Sequence, residues 1–198
     1  SDAGRGPLDK ILRARGFAPA RQYPDRFQKG PLLFDIHGDA LGIDRVRCRC
    51  FLSSSAMRME KTLAHPTIPN IRIPAPEELF IFNALHMVKH SFARWIWFID
   101  LALILQNSGP RFAESLFLRA RELGLLKPVV YAIICLRGLF SVPFPEELPD
   151  ISMGRLERRV LGRVTEGRVI EQAGDLLFLC MVKGTYKKLL FAFETVFL

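Results

Sequence analysis

Cysteine is scarce, with four in 198 residues. Cys48 and Cys50 form a C-x-C around Arg49, and Cys135 and Cys180 each sit in an apolar run. No C-x-x-C occurs, which argues against a zinc ribbon or a thioredoxin-type site. The sequence predicts reduced packing cysteines and a cytoplasmic protein. Long apolar runs are also missing: none reaches the roughly 18 residues of a spanning helix. Lys183, Lys187 and Lys188 break residues 176–198 into two short halves, expected as a buried or interfacial helix pair. Residues 1–6 are small and polar, so no signal peptide is expected there. G-x-G-x-x-G, P-loop and G-x-S-x-G motifs are absent, which removes the commonest nucleotide and acyl-transfer signatures.

Acidic residues are in deficit. Lys plus Arg number 28 and Asp plus Glu 20, so the formal charge is +8. A pI near 9.7 invites a polyanion, whether nucleic acid, nucleotide phosphates or an acidic membrane face. Composition does not choose among them. Apolar residues at 49% and charged residues at 24% exclude intrinsic disorder. The length allows one generous domain or two small ones, with a core that needs no disulfide or metal.

Periodicity divides the chain. Leu8, Ile11 and Leu12 form one apolar face of a short helix that stops at Gly16. Residues 17–23 read as a weak strand, 24–29 as a polar connection, and 32–36 as the clearest strand, between Gly30-Pro31 and Gly38. This order fits part of a mixed sheet. Ser53–Ser55 could cap a helix running through Leu63. Residues 65–74 hold three prolines and mark a boundary. From Pro76 the pattern is helical nearly to the end, and the almost wholly apolar residues 95–105 predict a central helix. The expected class is α+β, predominantly helical.

Three constellations could carry chemistry. In Phe34-Asp35-Ile36-His37, Asp35 and His37 share one strand face. A carboxylate on a buried strand is costly unless paired or metal-bound. It is read either as a metal or proton-transfer group, or as the partner of a nearby Arg. His86 and His90 stand i, i+4 on one helix face, with Lys89 beside them, Asn83 a turn before, and Arg94, Trp97 and Asp100 after. Two His and an Asp could ligate zinc, but no Glu follows His86, so the zincin motif is missing. The alternative is a polar face bonded to a neighbouring helix. Third, Arg155, Arg159 and Arg163 line one helical face. They could contact phosphate or nucleic acid, or be a solvated face paired with Glu157, Glu166 and Glu171. No aromatics interleave with them, which weakens a single-stranded nucleic acid reading.

The order of features then carries a resemblance. It runs through L-x-A-R-G-F (12–17), F-D-I-H (34–37), I-P-A-P-E-E-L-F (73–80), H-M-V-K-H-S-F-A-R-W-I-W-F-I-D-L-A-L-I-L (86–105), A-R-E-L-G-L (120–125) and P-F-P (143–145). This order resembles the uncharacterised nucleotidyltransferase family of the polymerase-β-like superfamily. The resemblance implies an α/β palm with Mg²⁺-binding carboxylates and a helical domain that closes over a nucleoside triphosphate and an acceptor. It implies that Asp35 is the third metal-binding acid, or a base on the acceptor, and that His37 orients a phosphate. It implies that His86, Lys89, His90 and Arg94 contact phosphate or acceptor, with Trp97 and Asp100 behind them. The implied palm portion is residues 1–73 and the helical domain 74–198.

Two departures follow. Gly38 stands where the resemblance favours an aromatic. The superfamily's Gly-Ser turn and D-x-D or D-x-E strand occur nowhere in the chain. One acid does not hold two Mg²⁺ ions, so the expectation is an incomplete and inactive fragment. The alternatives are a non-catalytic helical module for an acidic partner, or a metal-dependent hydrolase built on His86, His90 and Asp100. Residues 189–198 are apolar enough to suggest a homo-oligomeric interface.

Overall fold

The computed structural model describes residues 5–20, 23–35, 62–69, 72–140, 147–168 and 170–197. His37, Cys48, Cys50 and the Ser53–Ser55 cap lie outside the described residues. The chain divides into two compact units, Ser1–Ile43 and Asp44–Leu198.

In the first unit, α1 (Arg5–Ala14) precedes three strands, β1 (Ala18–Ala20), β2 (Tyr23–Lys29) and β3 (Leu32–Asp35). Gly16, at φ +82°, turns the chain out of α1 by adopting a backbone that Cβ-bearing residues avoid. The strands pair antiparallel in the order β1-β2-β3. The residues expected as a polar connection are therefore the middle strand. Of the side chains described on β2, Phe27 alone is buried, so no apolar run announces the strand. Its hydrogen bonds to both neighbours hold it instead. Lys29 bridges back to the residue that follows α1, its Nζ donating to the Arg15 carbonyl at 2.7 Å. The apolar run of β3 is not buried: Leu32, Leu33 and Phe34 are each half exposed or more. A three-stranded sheet has too little covering structure to bury both faces of its edge strand.

The second unit opens with an antiparallel pair, β4 (Thr62–Ala64) and β5 (Arg72–Pro74). Leu63 is thus on a strand and not at a helix end. Eight helices occur among the described residues, seven of them in this unit. They are α2 (Pro76–Lys89), α3 (Trp95–Gln106), α4 (Phe112–Glu122), α5 (Leu126–Leu139), α6 (Arg155–Thr165), α7 (Ala173–Met181) and α8 (Thr185–Phe197). The α+β, predominantly helical class is what the structure has.

Helix α2 is the central one. Pro76 starts it, Glu77 and Glu78 occupy its first turn, and His86 and Lys89 its last, each placed to suit the helix dipole. It packs against α3, α4, α5 and α7, and Phe80, Ala84, Met87 and Val88 on it are fully buried. Helix α3, expected at the centre because it is so apolar, instead leaves Trp95, Ile96, Ile99 and Leu103 exposed. Hydrophobicity alone does not rank helices by burial, because the position in the bundle is set by how many neighbours each one meets.

Two buried ion networks tie the bundle. Arg119 on α4 donates through Nε to Glu78 of α2 at 2.7 Å and through Nη1 to Glu122 at 3.1 Å. Glu157 on α6 accepts from Lys127 Nζ at 2.7 Å, from the Tyr131 hydroxyl, and from the Gly154 backbone N–H at 2.5 Å. Glu157 is therefore no member of a solvated arginine face. It is a buried strut between α6 and α5 that also closes the α6 N-terminus. Arg155, Arg158, Arg159 and Arg163 are exposed, and Arg168 pairs with Glu166 at 3.3 Å.

Candidate functional site

The structure gathers one aromatic and basic cluster at the C-terminal end of α2 and the start of α3. Helical spacing puts Phe82, His86 and His90 on one face. The Phe82 and His86 rings lie 5.4 Å apart, and the His86 and His90 rings 4.6 Å. Trp97 from α3 closes the cluster, 4.9 Å from His86 and 4.8 Å from His90. The exposed Arg94 places its guanidinium 5.5 Å from the Trp97 ring centre, an attraction between a cation and the negative face of the indole. Lys89 is half-buried beside His90, and Asn83 is buried one turn before His86. Asp100 is half-buried on α3, one turn beyond Trp97.

The turn between α2 and α3 sets this geometry. Ser91 and Phe92 both have positive φ, 53° and 62°, a backbone that costs non-glycine residues about 1–3 kcal/mol each. Three features compensate. Phe92 is buried, its N–H donates to the Met87 carbonyl at 2.9 Å, and Ser91 Oγ accepts from the Gly174 N–H of α7 at 3.0 Å. The chain reverses tightly enough to bring Arg94 and Trp97 back over His90. No sequence signal marked Ser91, Phe92 or Gly174, because neither Ser nor Phe is a residue that favours left-handed backbone.

Electrostatics follow from the packing. Burial lowers the His90 pKa below its usual 6.5, and the charges of Lys89 and Arg94 lower it further. His90 is thus a neutral imidazole at pH 7, able to donate and accept one hydrogen bond each, next to two permanent cations. Such a site suits an anionic ligand with hydroxyls. It suits a metal poorly, because among the described residues no carboxylate or thiolate completes a three-ligand group with the pair. Among the described residues no three His, Cys, Asp or Glu side chains come together in a way that could hold a metal ion. His86, His90 and Asp100 do not form such a group.

In the other unit, Asp35 ends β3, directly across from Arg26 of β2. The D-x-D or D-x-E strand that the resemblance implies beside Asp35 is absent from the sequence. Of the described cysteines, Cys135 is buried and Cys180 half-buried, both as free thiols. Burial pushes the Cys135 thiol up to about 12, so it is inert at neutral pH. No helix among the described residues is long and apolar enough to cross a membrane.

A family of sequences described as uncharacterised nucleotidyltransferases matches residues 1–141. That span is most of the 198-residue chain, and the protein belongs to this family. The match covers α1 through α5, so it contains both Asp35 and the His86–Trp97 cluster. Helices α6, α7 and α8 lie beyond it. No curated protein and no solved structure matches the chain.

Proposed function

We propose that the chain serves in transfer of a nucleotidyl group from a nucleoside triphosphate to an acceptor. The observation that carries this reading is the family match over residues 1–141. The geometry of the α2–α3 cluster supports it: two imidazoles, one held neutral, stand beside Lys89 and Arg94, a donor set that suits phosphate oxygens. In this reading residues 1–73 belong to the palm and 74–198 to the helical domain of a cytoplasmic enzyme. His86, Lys89, His90 and Arg94 bind phosphate or acceptor. Trp97 holds Arg94 in place by its ring, and Asp100 stands behind it. Asp35 is the acid of the reacting site and His37 its neighbour on the phosphate.

Asp35, with acids from a D-x-D or D-x-E strand and the substrate phosphates, would hold magnesium, which would supply charge neutralisation at the transferring phosphate. These 198 residues contain no D-x-D or D-x-E and no Gly-Ser pair. They therefore do not transfer nucleotides by themselves, and the completing acids come from elsewhere. The test has two arms. The isolated 198 residues are assayed for transfer of label from α-labelled nucleoside triphosphates, and no transfer is expected. A gene product that carries a Gly-Ser and D-x-D element ahead of residue 1 is assayed with and without Asp35→Asn. The substitution should cut transfer by about 100-fold or more. Transfer by the isolated chain, or full activity with Asn at position 35, overturns the proposal.

A second reading rests on the exposed row Arg155, Arg159 and Arg163 of α6. It makes the helical part a binding module for an acidic partner. Such binding falls as salt rises and does not depend on nucleotide; binding unchanged by salt removes it.

A further inference from the structure

Helix α8 presents a face that the family match does not reach and that the proposed transfer does not use. It packs on α7 and buries Phe191. Elsewhere on the helix, Tyr186, Leu189, Phe193 and Val196 are exposed at 77%, 65%, 56% and 73%. Their spacing of three, four and three residues sets them in one stripe along the helix. Contiguous exposed apolar faces can serve as contact surfaces.

The charges at the start of the helix narrow what covers the stripe. Lys183, Lys187 and Lys188 are exposed around the start of α8. The first turn holds no acidic residue. Three cations at the positive end of a helix dipole oppose the placement that stabilises a helix by itself. An anionic partner removes that conflict, and the chain as a whole carries +8. The partner must therefore offer both negative charge and an apolar interior.

A second copy of the chain fits poorly. Thirteen residues make a helix about 20 Å long and about 10 Å wide. Its face gives a footprint of roughly 200 Å², against about 800 Å² per partner for a stable dimer. Among the described residues no helix is long and apolar enough to cross a membrane. A helix lying in the plane of a membrane meets every condition: apolar residues enter the acyl boundary while lysines meet the headgroups.

We infer that α8 is an interfacial helix that docks the protein on an anionic lipid surface through the Tyr186–Val196 stripe and the lysines at its start. The test uses the full chain and vesicles of phosphatidylcholine, with and without about 30% phosphatidylserine, a content that gives a negative surface potential. Co-sedimentation should occur with the anionic vesicles and weaken with salt. Leu189→Glu with Val196→Glu should abolish it. Lys187→Gln with Lys188→Gln should weaken it by roughly tenfold or more, at about fivefold per lysine. All four positions are exposed, and far-ultraviolet circular dichroism checks that the variants fold. Light scattering on the lipid-free protein reads oligomeric state in parallel. Absence of binding to anionic vesicles overturns the inference. So does equal binding by the double-Glu variant, or a stable dimer that this variant dissociates.

Discussion

Replacing Gly174 with Ala tests how the α2–α3 turn is held. A Cβ at position 174 would lie 2.0 Å from the Val88 carbonyl oxygen and 3.2 Å from Ser91 Oγ. An ordinary carbon–oxygen contact is about 3.3 Å, so α7 must retreat by roughly 1.3 Å. The obstacle is backbone in the last turn of α2, which cannot swing aside as a side-chain tip would. Overpacking of this kind costs about 1–3 kcal/mol. The retreat also stretches the 3.0 Å bond from the Gly174 N–H to Ser91 Oγ, worth about 1 kcal/mol. Together these predict a loss of about 2–4 kcal/mol. For a chain of this size each kcal/mol lowers Tm by roughly 2–4 °C, so the fall should be roughly 4–16 °C. Urea unfolding measures the free energy directly. Gly162→Ala is the control: it lies inside α6 with nothing within 4 Å of the added carbon, and should be neutral or stabilise by up to about 1 kcal/mol. The histidine Cε1 protons, followed by NMR, should shift at His90 in G174A and stay in place in G162A. A G174A variant within about 0.5 kcal/mol of wild type would refute the close approach on which this reasoning rests.

Three further outcomes follow from the charges. Burial opposes ionisation of Glu157, but Lys127, Tyr131 and the Gly154 N–H outweigh it and leave its pKa below 4.5. Its contribution is therefore present above pH 4.5 and lost as pH falls through the lowered value; Glu157→Gln should flatten this acid limb in a pH series of urea melts. Lys89→Gln should raise the His90 pKa, and Arg94→Gln should raise it less, since Lys89 exerts the larger of the two effects. Both values should stay below 6.5 because burial persists, and an NMR titration that finds His90 unmoved in both variants would contradict the cluster. Arg119→Met leaves Glu78 buried beside an apolar chain, and breaking such a pair costs about 3–5 kcal/mol; chemical denaturation should show it, with Glu78→Gln in the same chain recovering part of the loss.

Much of the helical half was legible from residues. Pro76-Glu77-Glu78 announced the start of α2, and the i, i+4 spacing of His86 and His90 placed them on one face. Helix α3 ends just before Asn107-Ser108-Gly109-Pro110, and α4 ends just before the positive-φ Gly124. These are local signals, carried by caps, periodicity and backbone preference within one or two turns. The family resemblance was legible for the same reason, since it rests on the order of short blocks along the chain.

What the sequence could not decide were quantities that depend on distant neighbours. The strand β2 lacks an apolar run and exists because two other strands pair with it. Glu157 reads as one more charge on an arginine-rich helix, yet Lys127 and Tyr131, some 26 to 30 residues earlier, draw it inward. Helix α3 is the most apolar segment but not the central one. The left-handed turn at Ser91-Phe92 depends on Gly174, 83 residues beyond Ser91. The sequence by itself determined the scarcity of acids, the helical periodicity and the pairing of two histidines on one face, because each is written within a few residues. The tertiary structure decided that burial, with Lys89 and Arg94, lowers the His90 pKa, that Trp97 closes the cluster, and that α8 keeps an apolar stripe in the open. Burial and proximity are properties of packing, and packing is settled only when segments far apart in sequence meet.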